Sequence, residues 1–416
     1  MKIIWIIDHY SSEPEHGGIS RQYDFAVELS RQGYSVLVIS SSFSHFHHRY
    51  IHQAPLSISQ IAPSAHYAYV KTHAYESNGG IDRVRSIFSF VRAVRKHQNE
   101  LVKRFGKPDV VEGCSIHPLA WVAAEDVARR HQARFVAEVR DLWPEMWLLN
   151  REKKPWSPMV LYFGFLEKWA YRKASRIIYS MQHGDRYLVD KLGLPRSKVA
   201  LIGQPMDCER FDRNAQERAE QVPVQIRQFM KGHFTCVFTG YYMAYEGVYV
   251  MLEAAEMLKK QGLSIRFVFV GSGQEQDGMK RYVVEHGLDN VLIHDRISKE
   301  AIPSLLRDAD VCLAHCSMND SGQSFKYGVS KNKIIEYLYA DACVIYGFED
   351  PEDFVATSGG GIVVKPFDSQ AMAKAVAEVY AMPDEKRKLY GINGMRYIEE
   401  NHRVQALAKK LVRSYE

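Results

Sequence analysis

The chain opens on an apolar run, Lys2–Ile7, of the kind that builds a parallel strand buried on both faces. A polar loop carrying Gly17 and Gly18 follows. Beyond it Ile19, Tyr23, Ala26 and Leu29 recur every three or four residues, which predicts a helix with one apolar side. Gly33 closes that helix and Ser35–Ile39 reads as the next strand, completing a βαβ unit. The same alternation predicts strands at Asp109–Val111, Phe135–Val139 and Arg176–Ser180. A second series then begins. It has a strand at Thr235–Thr239, a helix at Val248–Lys260 closed by Gly262, and a strand at Ile265–Val270 running into Gly271-Ser272-Gly273. Further strands are expected at Val291–Ile293, Val311–Ala314 and Cys343–Tyr346. Strand–helix alternation of this kind makes doubly wound α/β sheets. Two such domains, 1–205 and 206–383, are expected to join near Gly203–Asp212, ahead of the charged stretch Asn214–Pro223. Residues 384–416 have a helical pattern with no strand after them, and are expected to pack back toward the first domain.

A length of 416 residues exceeds what one core usually serves, in keeping with two domains. Hydrophobic content of 46% and charged content of 25% are those of a globular protein. The net charge of +5 is mild: it admits anionic ligands without arguing for nucleic acid, and no nucleic-acid partner is expected. The six cysteines are scattered; Cys312 and Cys316 lie four apart with no second pair or histidine to complete a zinc pattern. They read as small buried hydrophobes in a reducing compartment. The apolar start is too short for a signal segment and meets Asp8 at once, and nothing approaches the ~20 apolar residues of a span. A cytoplasmic protein is expected.

The stretch Ile81–Arg104 predicts a helix with apolar residues at Ile81, Val84, Phe88, Val91 and Val94 and many arginines and lysines elsewhere around it. Two readings stay open: an ordinary surface helix with a solvated basic face, or contact with anionic lipid headgroups or a lipid-diphosphate acceptor at the inner face of the membrane.

The candidate chemistry gathers in SFKYGVSKNKIIEYLYA, Ser324–Ala340. Lys326, Lys331 and Lys333 crowd the start of a helix, where positive charge opposes the helix dipole and an anionic ligand would relieve it. Glu336 lies on that helix beside Ile334, Ile335 and Leu338, so it needs a partner; an ion pair to Lys333 is the structural alternative to ligand binding. Gly17-Gly18 at a helix mouth admits close backbone approach, and Arg21 one turn on adds to an anion site. Arg140-Asp141 follows a strand, where open α/β sheets hold ligands; Asp141 is then a polar site group or base, or else caps the turn before Pro144.

Over nearly its whole length the chain resembles a family 4 glycosyltransferase of the GT-B architecture, in which two Rossmann-like domains face a cleft. PDVVEGCSIHPLAWVAA, FVAEVRDLWPE, LEKWAYRKASRIIYSM, VALIGQPMDCERF, FVGSGQEQ, IPSLLRDADVCL and FKYGVSKNKIIEYLYA carry the likeness. It is strongest to the branch that moves N-acetylated amino sugars in surface-polysaccharide synthesis, such as lipopolysaccharide or capsule. The resemblance implies a retaining transferase using a nucleotide-sugar donor, UDP-linked on that branch, and a saccharide or lipid-linked saccharide acceptor. It implies a catalytic group at Asp141, diphosphate contacts at Gly17 and Gly18, and a ribose grip at Glu336. Gly240, Gly271, Gly273, Arg296, Tyr327 and Asn332 fall in stretches that line the donor. No paired-aspartate metal motif occurs, so no metal and no cofactor beyond the co-substrate is expected.

Two departures sharpen this. The first carboxylate of the family's E-x7-E is missing, since Gly328 stands eight residues before Glu336. The loop after the first strand of the second domain, Gly240 to Gly247, holds Glu246 and no cation. Lys326 and Lys333 are therefore expected to supply the charge for the diphosphate, with Lys331 an extra cation of no assigned role. The alternatives are a catalytically silent nucleotide-sugar-binding or scaffolding relative and a sugar-nucleotide epimerase.

Overall fold

Parallel pairing accounts for most of the strands. In the computed structural model, which describes every residue except 1, 18, 19, 77–79, 151, 317–325, 329 and 351, the apolar runs become strands within three residues of their expected ends. The first series gives β1 (Ile3–Ile7), β2 (Ser35–Ser41), β3 (Phe43–Ser44), β4 (Arg49–Tyr50), β5 (Leu56–Ala62), β6 (Ala65–Val70), β7 (Val110–Cys114), β8 (Arg134–Val139), β9 (Arg176–Tyr179) and β10 (Val199–Leu201). Eight of them form one sheet in the order β10-β9-β8-β7-β1-β2-β6-β5. Its neighbours pair parallel except the edge strand β5, which runs antiparallel to β6. Strand order reverses between β1 and β7, and ligands bind beyond the carboxyl ends at such a reversal.

The second series gives β11 (Phe234–Tyr241), β12 (Ile265–Ser272), β13 (Val291–His294), β14 (Val311–His315), β15 (Cys343–Gly347) and β16 (Gly361–Val364) in a parallel sheet ordered β13-β12-β11-β14-β15-β16. One face buries Val237, Val268, Ile334 and Tyr337; the other buries Phe238, Phe267, Met251 and Val376. The order reverses between β11 and β14. All six cysteines are free and buried.

The compact units are Met1–Pro205 with Val404–Glu416, and Met206–Arg403. The terminal stretch read as one helical segment is therefore two. Asp384–Asn401 belongs to the second unit and Val404–Tyr415 to the first. The break falls at His402, whose carbonyl accepts a 2.7 Å hydrogen bond from the Met206 N–H. Val404–Tyr415 buries Leu407, Ala408, Leu411 and Tyr415 in a core shared with Ile4, Phe25, Val36 and Ile178. The β5–β6 hairpin, β10 and β16 escape the apolar pattern because β5, β10 and β16 are half-buried edge strands, and an edge needs no unbroken apolar run.

Candidate functional site

In the second unit the loops at the strand ends converge on one carboxylate. Glu246 sits on a single turn, Ala244–Glu246, between β11 and the helix Val248–Lys260, and is buried. The Lys331 ammonium lies 2.8 Å from one of its oxygens, and the Lys333 ammonium pairs with the other. Lys331 stands just before the helix Asn332–Tyr339 and Lys333 lies in its first turn. The Lys333 ammonium also rests 4.4 Å over the Phe238 ring. His315, the last residue of β14, has Nδ1 2.9 Å from the Tyr245 carbonyl, while its Nε2 lies 3.2 Å from the Phe367 N–H. A carbonyl accepts and an N–H donates, so the proton is on Nδ1 and the ring is neutral. Burial agrees, pulling the imidazole down to about 4.

The electrostatics of this cluster are uneven. Burial, reinforced by the neighbouring Lys331 charge, pulls Lys333 down to about 8 although Glu246 opposes it. Lys331 is pushed up in spite of burial by Cys316 and Glu246. Glu246, though buried, is held below the usual carboxylate range by Lys333 and Lys331. Among the described residues two ammonium groups thus share one carboxylate at a helix N-terminus, an arrangement suited to an anion. The lysine crowding at this helix start is thus half relieved from within the chain.

Of the other expected donor residues, Gly240 approaches this cluster. Gly240, next to last in β11, has φ 146°, and a Cβ there would stand 3.1 Å from the Lys333 ammonium. Gly271 and Gly273 serve the backbone: a Cβ would collide with the main chain of Gly240 at the first and of Tyr242 at the second. Arg296 is exposed and lies 4.7 Å over the Tyr241 ring. Lys326 is exposed, 5.5 Å over the buried Tyr327 ring, and Asn332 opens the site helix half-buried. Glu336 is half-buried on the same helix, but the ion pair offered as its alternative is not formed, because Lys333 goes to Glu246. Lys331 likewise gains a role that the sequence left unassigned.

In the first unit, Asp141 follows β8 and is half-buried; burial pushes its carboxyl up to about 6 against the pull of Arg140. The Arg140 guanidinium lies 3.3 Å from Asp8, which is fully buried just past β1 and also pushed up to about 6 by burial. The turn-capping reading of Asp141 has no support, since its side chain accepts no hydrogen bond among the described residues. His9 and His117, at the ends of β1 and β7, share a 2.7 Å hydrogen bond between Nδ1 and Nε2. The His9 ring stacks 4.3 Å from Phe90, and burial lowers His117 to about 3. Nδ1 of His117 is buried with no partner among the described residues, a polar atom free to meet a ligand. Both histidines follow strand ends, as Asp141 does, and that position is the sequence signal they carry.

Arg21 requires a correction. Its guanidinium is not open to a donor: it is fully buried, pairs with Glu138 at 2.7 Å, and donates to the Ile202 and Gly203 carbonyls and to Gln204. Arg21 is the first residue of the helix Arg21–Arg31, and its partners lie on β8 and just past β10. Glu138 also accepts from Gln22 at 2.6 Å, and neighbouring Glu112 accepts from the Tyr415 hydroxyl at 2.5 Å. Glu112, Cys114 and Glu138 converge as metal ligands would, but these protein donors already occupy the carboxylates. Gly17 adopts φ 69° beside the His47 ring; Gly18 lies outside the described residues.

Comparison with known proteins places these sites in a family. Residues 16–210 match the model for Glycosyltransferase Family 4, and residues 233–382 match that for Glycosyl transferases group 1. No curated protein matches the chain in sequence. Among solved structures, sucrose-phosphate synthase from Thermosynechococcus elongatus superposes with a TM-score of 0.71 at 14% identity, over 100% of this chain and 98% of its own. A UDP-forming α,α-trehalose-phosphate synthase from Burkholderia xenovorans gives 0.72 at 13% identity, over 100% and 99%. HepE from Anabaena, in complex with UDP-glucose, gives 0.65 at 13% identity, over 100% and 99%. At such identities the superpositions establish a shared fold, the GT-B pairing of two Rossmann-like units. With both units matched by their own family models, this chain belongs to the glycosyltransferases, family 4 in its first unit and group 1 in its second.

Proposed function

We propose that the chain is a retaining, metal-independent transferase that moves a sugar from a UDP-linked donor to a saccharide or lipid-diphosphate-linked saccharide in polysaccharide synthesis. On the branch it resembles, the sugar is an N-acetylated amino sugar. The observation that carries this reading is the Glu246–Lys331–Lys333 cluster, two ammonium groups on one buried carboxylate at a helix N-terminus beyond the strand ends of the second unit. HepE, of like fold, is described in complex with UDP-glucose, which supports the choice of nucleotide. In the proposed reaction the bond from the anomeric carbon to the diphosphate breaks, and charge builds on the departing phosphate. Lys333 and the N-terminal amides of Asn332–Tyr339 stabilise it, a role a metal ion fills elsewhere. Asp141 and His117 are assigned to the acceptor side.

UDP and UDP-sugars are expected to raise the melting temperature of the purified chain, with GDP and dTDP doing less. At a hundred times the dissociation constant the gain is about 2.7 kcal/mol. EDTA is expected to leave the shift and any slow donor hydrolysis unchanged. The absence of a shift with every nucleotide overturns the reading, and activity lost to EDTA but restored by magnesium overturns its metal-free form.

The pH profile follows from two displaced groups. The Asp141 carboxyl loses its proton near pH 6, and Lys333 loses its own near pH 8. A carboxylate required ionised gives a limb rising through the first value, and an ammonium required charged gives one falling through the second. Donor hydrolysis is therefore expected to peak between them. Asp141→Asn should remove the acid limb and Lys333→Arg should carry the alkaline limb upward. A profile that keeps its acid limb in Asp141→Asn transfers that role to Asp8.

A further inference from the structure

The first unit exposes large apolar side chains on one helix and in the turn before it. Along Pro158–Lys173 the outward stripe holds Met159, Leu161, Tyr162 and Phe165, and Trp156 precedes it. Trp156 is 70% exposed and Phe165 60%, well beyond what isolated surface residues of a water-facing helix need. The stripe continues into exposed Lys168 and Arg172. The Lys154 ammonium lies 5.4 Å over the Trp156 ring, and that of Lys153 lies 5.3 Å over Trp147. Aromatic rings with a polar tip, aliphatic residues on one stripe and lysines at the margin are the composition of a helix that lies in a membrane interface. Among the described residues no helix is long and apolar enough to cross a bilayer, so the contact is in the plane of the surface.

A second strip matches it. Ile81, Val84 and Phe88 are exposed on the first two turns of Ile81–Phe105, and with Arg85 and Arg92 they line a hollow of about 400 Å³. The two helices share a topological position. Ile81–Phe105 follows β6 and Pro158–Lys173 follows β8, and each leads to the next parallel strand. A helix in such a crossover starts at the carboxyl end of the strand before it. The apolar residues of both strips lie in the first half of their helices, and so on the side of the rim of the sheet that carries Asp141 and His117.

We propose that the two strips together seat the first unit on an anionic bilayer surface, with the carboxyl rim of its sheet next to the headgroups. The proposal extends the lipid-linked acceptor reading: an acceptor held in that surface meets the rim without leaving the membrane. Charge selects the bilayer over a second copy of the chain. A two-fold contact would bring the patch that holds Lys153, Lys154, Lys168 and Arg172 onto the same basic patch of the other copy, whereas anionic headgroups neutralise them.

The test is co-sedimentation of the full chain with vesicles. It is expected to pellet with phosphatidylglycerol–phosphatidylcholine vesicles, weakly with phosphatidylcholine alone, and less as salt rises. The double variant Leu161→Ser/Phe165→Ser, which alters only exposed positions, should lower the bound fraction about fivefold or more while keeping the parent's melting temperature and its response to UDP. Failure to pellet with anionic vesicles, or undiminished binding by the double variant, overturns the proposal. So does a dimer by light scattering that the double variant dissolves, which assigns the strips to a second copy. A UDP response without vesicle binding sinks the docking surface alone; vesicle binding without any nucleotide response sinks the transferase reading alone.

Discussion

Replacing Lys333 with alanine is expected to lower donor turnover about 10²–10³-fold, the usual loss when one group that stabilises developing charge is removed. The size follows from the charge count. Among the described residues Glu246 is shared by both ammonium groups, so little positive charge is spare for a diphosphate and the loss of either group weighs heavily. Without Lys333, Glu246 keeps Lys331, and the leaving group loses the ammonium held in the first turn of the helix. The measurement is kcat and KM for donor hydrolysis or transfer, taken well below the variant's melting temperature. A structural role would move stability and leave both constants in place. Lys333→Arg should recover much of the rate, and at pH 9 should exceed the parent, because its guanidinium stays charged where the parent's ammonium, near 8, has lost its proton. Turnover unchanged in Lys333→Ala removes the residue from the reaction.

Arg21→Ala is expected to cost about 3–5 kcal/mol of stability in the first unit, the range for stripping one partner from a buried ion pair. That is a large share of the 5–15 kcal/mol typical of a folded domain. Glu138 would keep Gln22 but lose the guanidinium 2.7 Å away, with Glu112 nearby. Burial and Glu138 together already raise Glu112 to about 8. In the variant, Glu138 is raised too, so the folded state holds protons that the unfolded state releases. Stability then falls with rising pH, and the deficit in urea melts should be larger at pH 8 than at pH 5.5. Adding Glu138→Gln to Arg21→Ala should restore part of the loss. A deficit below about 1 kcal/mol would mean that water reaches this carboxylate.

These two residues also mark where sequence reading stops. Strands such as β1 and β12 are unbroken apolar runs between turn signals, and Val248–Lys260 has the bounds its period and Gly262 indicate. The passage between units at 205–206 is legible from the punctuation around it. The partners of charged side chains are not. Arg21 meets Glu138 across 117 positions, and Lys333 meets Glu246 across 87, so no local spacing joins them. For that reason Arg21 reads as an anion site when it is a core residue, and the Gly240–Gly247 loop reads as lacking charge compensation when its one acid organises two lysines. His117 was within reach, because its place just past β7 is the position that drew attention to Asp141.

The return of Val404–Tyr415 to the first unit orders events during synthesis. Its apolar face fills a groove lined by Ile4, Phe25 and Val36, and the Tyr415 hydroxyl closes over Glu112. Those residues leave the ribosome only after all of Met206–Arg403, so the unit made first is completed last. Until then its sheet carries an open apolar groove and a buried acid without its hydroxyl partner, while the second unit already has every strand it needs. The first unit, though begun first, is therefore completed only once Val404–Tyr415 has emerged, and truncation after Arg403 is expected to destabilise residues 1–205 more than 206–403.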